Sequence, residues 1–261
     1  MVLEKLRRRP PAKATPTTPP AQDRCTARPT PPALHELCGR METLIGKDID
    51  KAAALLKEGR SVAIPTETVY GLAANAFDAE AVLNIFAAKE RPAFDPLIVH
   101  VPGPEALDRI VLERPPGTDE LIAAFWPGPL TLVLPKRPEV PDVVTSGLDT
   151  VGVRMPGHPM ALELLRALPF PLAAPSANPF GYVSPTSAEH VLKGLGGRIP
   201  YILDGGPCTV GVESTILGFQ DGHWMIYRQG GVAQERIERV IGAVKEAGGR
   251  VIPVAPGMLE S

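Results

Sequence analysis

The segment SVAIPTETVYGL spans residues 61–72 and joins a short apolar run to a polar loop. The run at 61–64 is preceded by Gly59 and followed by Pro65, a pattern typical of a buried β-strand. The loop then places two threonines, a glutamate and a tyrosine ahead of Gly71. Loops at strand ends commonly hold ligands, although a threonine-rich turn would give the same letters. Both interpretations are compatible with this segment alone.

Outward from this loop, helical patterns alternate with short apolar runs. Helices are predicted at 48–59, 78–89 and 159–168, from the capping box at 186–189 through Leu192, and at 234–247. Strands are predicted at 61–64, 97–101, 130–134, 151–154, 172–174, 201–203, 215–219, 224–227 and 251–254. Because some connections are hairpin-like, as at Asp221-Gly222, the pattern predicts an α/β fold with a mixed sheet.

Composition separates an N-terminal tail from a folded domain. Residues 1–40 are rich in proline, threonine and alanine and lack hydrophobic periodicity, which predicts a disordered tail. An organellar transit peptide is the alternative for this arginine-rich start. Its proline content disfavours the amphipathic helix that such peptides need. Residues 41–248 are predicted to form the folded domain.

Charge is distributed unevenly between these parts. The first 33 residues hold seven basic and two acidic residues, a net charge of +5, and the other 228 carry 20 basic and 27 acidic residues, a net charge of −7. A nucleotide site in the acidic domain would therefore have to be a local basic pocket. No apolar run approaches the roughly 18 residues that cross a bilayer. Three scattered cysteines do not make a disulfide framework, so we expect a cytoplasmic protein with reduced thiols and no membrane contact.

Basic side chains leave the second predicted helix. Lys89 and Arg91 stand two residues apart, so both could reach one phosphate chain. An ordinary basic helix end, where cations offset the helix dipole, is the alternative. His100 lies inside an apolar strand, where a hydrogen-bonded core histidine is more common than a ligand-binding one.

Small polar side chains follow the strand at 172–174. Ser176 and Asn178 can exchange hydrogen bonds with phosphate oxygens at close range, and Ser184 follows eight residues after Ser176. A polar turn is the alternative. Arg228 ends a predicted strand beside two glycines that permit close backbone approach, which places it to meet an anion.

Several common catalytic motifs are absent from the sequence. It contains no Walker A motif, no G-x-G-x-x-G after a strand, no H-E-x-x-H and no G-x-S-x-G. A P-loop, a dinucleotide fold, a zinc protease and an α/β-hydrolase are therefore all disfavoured.

Seven motifs occur along the chain in a specific order. They are PTETVYGL, KERP…DPLIVHV, PGPLTLVL, TVGVRMPGHP, APSAN…SPT, ILDGGP…ESTI and IYRQGG. This order resembles the YrdC-like threonylcarbamoyl-AMP synthase family over about residues 45–245. The resemblance implies a twisted mixed sheet with flanking helices around a large concave cavity. It also implies that L-threonine, bicarbonate and ATP are converted to threonylcarbamoyl-AMP and pyrophosphate, for the threonylcarbamoyladenosine modification of tRNA by a separate complex.

The resemblance also implies the residues of the site. Those implied to hold ATP are Lys89, Arg91, Thr150, Ser176, Asn178, Ser184 and Arg228, with Lys89 and Arg91 as the catalytic pair. Those implied to hold threonine are Thr68, His100, Arg154 and Ser214, with Thr66 and Tyr70 close by. The fork of Arg154 suits a carboxylate. Mg²⁺ is expected to arrive with ATP and to be held largely by phosphate and water, with no metal ligand assigned to the protein.

Two features depart from the family pattern. Asp95 stands where many relatives carry an uncharged residue, and its carboxylate could repel phosphate or help to hold a metal. Residues 249–261 resemble the start of the linker of two-domain members, so the chain is expected to be either a one-domain protein or a truncated one.

Two rival functions remain as alternatives. A hydrogenase-maturation carbamoyltransferase is disfavoured because the sequence has no C-x-x-C. An RNA-binding module of the same fold without catalysis is disfavoured by the acidic domain and by the lack of clustered aromatic residues, whereas an RNA contact of the enzyme stays open.

Overall fold

A computed structural model describes residues 41–91 and 95–246 of the chain. The predicted tail at 1–40, the strand at 251–254 and the linker at 249–261 lie outside the described residues. Within the described residues, no helix combines the length and the apolar character needed to cross a membrane.

The described residues form a single sheet of eleven strands. The strands are β1 (Leu44–Gly46), β2 (Val62–Ile64), β3 (Gly71–Asn75), β4 (Ile98–His100), β5 (Leu130–Pro135), β6 (Thr150–Arg154), β7 (Leu172–Ala173), β8 (Tyr201–Leu203), β9 (Thr215–Gln220), β10 (His223–Arg228) and β11 (Lys245–Glu246). Their order across the sheet is β1-β8-β2-β3-β7-β4-β6-β5-β9-β10-β11. Parallel pairs such as β4 with β6 stand beside antiparallel pairs such as β5 with β6, which confirms the predicted mixed sheet.

Helices flank this sheet. They are α1 (Ile49–Lys57), α2 (Ala79–Lys89), α3 (Thr118–Phe125), α4 (Asp142–Thr145), α5 (Pro159–Arg166), α6 (Ala188–Leu195) and α7 (Gln234–Ile241), with a 3-10 helix at Pro104–Arg109. The carboxylates of Asp48 and Asp78 accept backbone N–H bonds and begin α1 and α2, as the sequence predicts. The strands from β2 to β10 each contribute side chains to one large apolar core.

Several elements differ from the sequence-based prediction. The cap of α6 is Ser187, which accepts from the N–H of His190, and not Thr186 of the predicted capping box. Helix α7 ends at Ile241 and not near residue 247, because Gly242 adopts a positive φ of 81° and the chain then enters β11. The strands β1 and β3 and the helices between 104 and 145 have no counterpart in the prediction, since their apolar letters are too few or too uniform to show a period.

Strands β2 and β3 pair antiparallel, so the loop at 65–70 is the connection of a β-hairpin. The loop is bonded to the segment after β7: Ala177 donates to the carbonyl of Tyr70 at 2.8 Å, and Gly71 bridges to Ser176. A Cβ on Gly71 would lie 3.3 Å from the Cβ of Ala174, so a glycine permits this close approach. The loop at 65–70 and the polar loop after β7 therefore lie side by side.

Candidate functional site

Four side chains that the family resemblance assigns to threonine line one pocket. They are Thr68, His100, Arg154 and Ser214. The pocket encloses about 510 Å³, counting the space at its open mouth. Strands β4 and β6 are parallel neighbours in which His100 and Arg154 are register partners, so both side chains leave the sheet at the same edge. Thr68 comes from the loop before β3, and Ser214 directly precedes β9.

His100 is a neutral hydrogen-bonding group in this pocket. Its side chain is buried, and burial lowers the pKa of His100 to about 3, an effect to which the nearby charge of Arg154 adds. Nδ1 lies 3.3 Å from the carbonyl oxygen of Ile98. Because a carbonyl can only accept, this contact assigns the proton to Nδ1 and leaves Nε2 as an acceptor.

Arg154 is held by a buried carboxylate. Its Nη2 lies 2.6 Å from Oε1 of Glu67, and its Nε donates to the carbonyl of Gly128 at 3.1 Å. The second carboxylate oxygen of Glu67 accepts from the N–H of Gly157 at 2.8 Å. Glu67 thus fixes the guanidinium plane, and Nη1 makes no hydrogen bond to the described residues. That nitrogen could serve a ligand carboxylate.

Hydroxyl groups complete the wall of this pocket. The Oγ1 atoms of Thr66 and Thr68 lie 2.8 Å apart, and Thr66 also donates to the carbonyl of Val69 at 2.6 Å. The hydroxyl of Ser214 lies 2.8 Å from that of Thr131 on β5. These contacts hold the hydroxyls in place before a ligand arrives, which is how polar groups fix the orientation of a bound molecule.

A second pocket adjoins the first and carries five of the side chains assigned to ATP. They are Lys89, Arg91, Ser176, Asn178 and Ser184. Arg91, Ser176 and Glu213 line both pockets, so the two spaces meet at these residues. Arg228 lines only the first pocket and contacts Glu213 at the boundary.

Lys89 ends α2 and points its ammonium group into the loop after β7. Its Nζ donates to the carbonyls of Ser176 and Asn178, so it fixes the loop that carries both residues. The side chain is almost completely buried, and burial lowers the pKa of Lys89 to about 7, with the charge of Arg91 as the second cause. This contact joins the end of the helix that precedes Arg91 to the loop that carries Ser176 and Asn178.

Arg91 is paired with the unusual aspartate of this chain. Its Nη2 lies 2.6 Å from a carboxylate oxygen of Asp95, and both side chains are largely buried. Burial lowers the pKa of Arg91, and Asp95 opposes that shift. Asp95 therefore orients Arg91 and does not point toward a phosphate site as an unpaired charge.

Arg228 and Ser184 share one carboxylate. Arg228 Nη1 forms an ion pair with Oε2 of Glu213, and the hydroxyl of Ser184 donates to Oε1 at 2.9 Å. Arg228 also donates through Nη2 to the carbonyl of Ser214 at 3.0 Å. Burial lowers the pKa of Arg228, and Glu213 is the next cause and raises it. Two donors assigned to ATP thus converge on one glutamate.

Two residues named with the site are placed elsewhere. Thr150 begins β6 and pairs with Pro135, at the end of the strand away from Arg154, and it lines neither pocket. Tyr70 is fully buried, and its hydroxyl donates to the carbonyl of Gly206 at 2.7 Å, outside the residues that line the pockets. The role of Thr150 in nucleotide binding stays a prediction.

Sequence reasoning did not assign Glu67, Glu213 or Thr131 to the site. Glu67 and Glu213 lie in the motifs PTETVYGL and ESTI. In each motif a carboxylate stands next to a hydroxyl-bearing residue in a loop, and this pattern could have pointed to the two glutamates. Thr131 lies in an apolar strand and gives no such signal. Among residues 41–91 and 95–246, no group of three His, Cys, Asp or Glu side chains could hold a metal ion.

Comparisons with known proteins agree with this geometry. A family model described as "Telomere recombination", for Sua5, YciO and YrdC, matches residues 54–230. The threonylcarbamoyl-AMP synthase of Pyrococcus abyssi is 52% identical over 194 residues, which are 74% of this chain and 57% of that protein. That of Bacillus subtilis is 49% identical over 215 residues, which are 80% of this chain and 62% of that protein.

A solved structure has the same fold. P. abyssi Sua5 complexed with L-threonine aligns with a TM-score of 0.79 and 47% identity, covering 84% of this chain and 67% of that chain. The chain spans less than two thirds of the length of the two synthases. The motifs, the sheet and these matches together identify the chain as a member of the Sua5/YciO/YrdC family.

Proposed function

We propose that this chain is an L-threonylcarbamoyladenylate synthase, a nucleotidyltransferase that makes threonylcarbamoyl-AMP and pyrophosphate from L-threonine, bicarbonate and ATP. One observation carries the proposal. Side chains assigned to two different substrates line two pockets that join at Arg91, Ser176 and Glu213. A reaction between threonine and ATP needs two such sites in contact. The names of the P. abyssi and B. subtilis relatives support the same reaction.

The first pocket has the groups that an amino acid requires. Arg154 is oriented by Glu67 and could pair with the α-carboxylate through Nη1. Neutral His100 could accept an N–H or O–H through Nε2, and Ser214 and Thr68 could bond the threonine hydroxyl. The complex of P. abyssi Sua5 with L-threonine supports threonine as the ligand, while the residues that hold it here are part of the proposal.

The chemistry can proceed without a strong protein base. The amine of threonine adds to bicarbonate, giving a carbamate and water. A carbamate oxygen then forms a bond to the α-phosphorus of ATP while the bond from that phosphorus to the bridging oxygen breaks, and pyrophosphate leaves with the electron pair. Positioning the two substrates in line supplies much of the rate.

The second pocket supplies positive charge where negative charge develops. Lys89 and Arg91 lie on its wall, and Arg228 meets it at Glu213. Such fixed charges stabilise the transition state more than the ground state. Mg²⁺ would accompany ATP as part of the substrate, because the carboxylates that line the second pocket, Asp95 and Glu213, are already paired with arginines.

The experiment that tests the proposal measures pyrophosphate release from ATP and bicarbonate, with and without L-threonine. We expect release that depends on threonine, together with an adenylate product of the mass of threonylcarbamoyl-AMP. Release without threonine, or none in its presence, would contradict the proposal. L-Serine and L-valine, each lacking one group of threonine, are the matched control substrates.

The product defines the class of reaction that uses it. A mixed anhydride of a carbamate and AMP is an activated acyl donor, so we propose that a separate cytoplasmic complex transfers its threonylcarbamoyl group to an adenosine of tRNA. If this chain itself contacts RNA, we expect that RNA to be the tRNA that receives the threonylcarbamoyl group. Binding of labelled tRNA, measured at two salt concentrations, tests it.

A further inference from the structure

Glu213 accepts bonds from two groups that the proposed function reserves for ATP. Its carboxylate is bonded to the guanidinium of Arg228 through Oε2 and to the hydroxyl of Ser184 through Oε1. Both donors are assigned to the nucleotide, and in the structure a protein carboxylate accepts their bonds. A phosphate oxygen and a carboxylate oxygen have the same sign of charge and accept the same bonds, so they compete for these donors.

The position of Glu213 also affects the other cations of the site. Burial lowers the pKa of Lys89, Arg91 and Arg228, and the negative charge of Glu213 opposes this shift in all three. Glu213 therefore stabilises the charged forms of the cations. Asp95 opposes the shift in the same three groups, so the two carboxylates together offset the repulsion between the cations that line the joined pockets.

The backbone of Glu213 is held by neighbouring backbone, whereas its side chain is partly exposed. Its carbonyl accepts from the N–H of Gly231 at 2.9 Å, and a Cβ on Gly230 would lie only 2.3 Å from that carbonyl oxygen. The side chain is 36% exposed toward the pocket, compared with 10% for Glu67 and 3% for Asp95. Of these three carboxylates, Glu213 has the smallest share of its surface packed against protein, so it can be displaced at the lowest cost.

We propose, on the basis of the proposed function, that Glu213 is an internal competitor for the polyphosphate. Its carboxylate occupies the donors of Ser184 and Arg228 until a phosphate chain displaces it, and it takes them back as pyrophosphate leaves. Glu213 thus weakens the binding of the inorganic product and shortens its residence. It also selects ligands whose remaining contacts are strong enough to displace it, which favours whole ATP over inorganic anions.

The test is a titration with inorganic pyrophosphate, without threonine and with EDTA present, followed by calorimetry. The native chain is compared with Glu213→Gln, which removes the charge and keeps the shape. We expect the variant to bind pyrophosphate at least about tenfold more tightly, the scale of one hydrogen bond to a charged group. Stopped-flow displacement should show a correspondingly slower dissociation of pyrophosphate.

Two further variants distinguish the loss of the direct contacts of Glu213 from the loss of a negative charge elsewhere on the protein. Glu90→Gln removes one negative charge next to Lys89 in the sequence, but Glu90 pairs with Arg198 away from both pockets, so its pyrophosphate affinity should change less than about twofold. Glu213→Asp keeps the charge and shortens its reach, so an intermediate affinity is expected. Circular dichroism verifies the fold of each variant.

Unchanged or weaker pyrophosphate binding by Glu213→Gln would overturn the proposal, and so would equal tightening by Glu90→Gln. Absence of pyrophosphate binding by both the native chain and Glu213→Gln would overturn it as well. Because the titration needs no turnover, it is independent of the synthase assay. Tighter binding by the variant, combined with no threonine-dependent release from ATP, would support the competition and contradict the proposed reaction.

Discussion

Two arginines of the first pocket, Arg154 and Arg228, are each paired with a glutamate, and the two pairs differ in burial. Arg154 and Glu67 have side chains that are 4% and 10% exposed, whereas Arg228 and Glu213 are 18% and 36% exposed. A buried pair cannot lose one partner without leaving a desolvated charge, so Glu67 is a permanent support for Arg154. A half-exposed carboxylate can exchange its partner for water or for a ligand. The same chemical pair therefore has two uses, which are set by solvent access.

The first prediction tests whether the cations of the second pocket are needed for catalysis. Lys89→Ala should lower kcat by roughly 10²–10³, the scale of losing one preorganised electrostatic contact, while the KM for threonine changes little. Steady-state pyrophosphate release measures both constants. Lys193→Ala, an exposed lysine on α6, is the matched control and should keep native rates.

The loop that Lys89 fixes could also collapse in this variant. Lys89→Met keeps most of the buried stem and separates loss of charge from loss of packing. An unchanged kcat in a folded Lys89→Met chain would remove Lys89 from the catalytic pair.

The second prediction breaks the buried pair. Glu67→Gln should raise the KM for threonine roughly 30-fold, about 2 kcal/mol, because a charged hydrogen bond that orients Arg154 is lost. The kcat at saturating threonine should fall less, and the KM for ATP should stay within about twofold of the native value. We therefore expect Lys89→Ala to change mainly kcat and Glu67→Gln to change mainly the KM for threonine. This difference is what separate sites for the two substrates would produce.

A control for this change is Glu139→Gln, an exposed glutamate. Equal rises in the KM values for threonine and for ATP would mean that Glu67 supports the whole fold and not Arg154 in particular. Thermal unfolding of both variants then shows how much stability was lost.

The difference between the two pairs also marks the limit of sequence reasoning. The caps at Asp48 and Asp78 and most strands follow local rules, and the sequence predicts them. The contact of Glu67 with Arg154 joins residues 87 positions apart. It depends on which strands become neighbours, and no local pattern carries that information. Glu213 and Arg228 flank the β9–β10 hairpin that the sequence predicts at Asp221-Gly222, but the sequence does not show that their side chains meet. Solvent access, which separates the two pairs, depends on the same packing.

Lys89 illustrates the same limit. Its position two residues before Arg91 suggests that both cations reach the phosphates directly. In the structure, Lys89 donates to the carbonyls of Ser176 and Asn178, so part of its function is to hold the loop. The sequence predicts that these residues act together, but it does not show the contact that unites them.

The third prediction concerns how the affinity for ATP at the second pocket depends on pH. Burial lowers the pKa of Lys89 to about 7, so its side chain is mostly the neutral amine above that pH. A phosphate chain favours the protonated form, and binding above pH 7 must take up a proton. The affinity for ATP should therefore fall by up to about tenfold between pH 7 and 8.

Calorimetry in two buffers of different ionisation enthalpy measures this proton uptake. Lys89→Met, titrated in parallel, accounts for the protonation of ATP itself and should show a smaller uptake. Equal proton uptake by the two chains would show that Lys89 is already charged before ATP binds. The threonine end offers a contrast, because the low pKa of His100, about 3, predicts no such dependence of threonine affinity between pH 6 and 8.

The fourth and smallest effect concerns Ser184, which touches Glu213 and is also assigned to ATP. If Ser184 acts only by holding Glu213, Ser184→Ala should tighten pyrophosphate binding about threefold, since the competitor loses one hydrogen bond of about 1 kcal/mol or less. If Ser184 instead bonds the phosphates directly, the same change should weaken binding. The double variant with Glu213→Gln separates these contributions. Because the competitor is already neutral there, Ser184→Ala should reveal only the direct bond to phosphate, and its effect should be a weakening. A tightening in both backgrounds would contradict the competition, since no charged side chain would remain at residue 213 to be released.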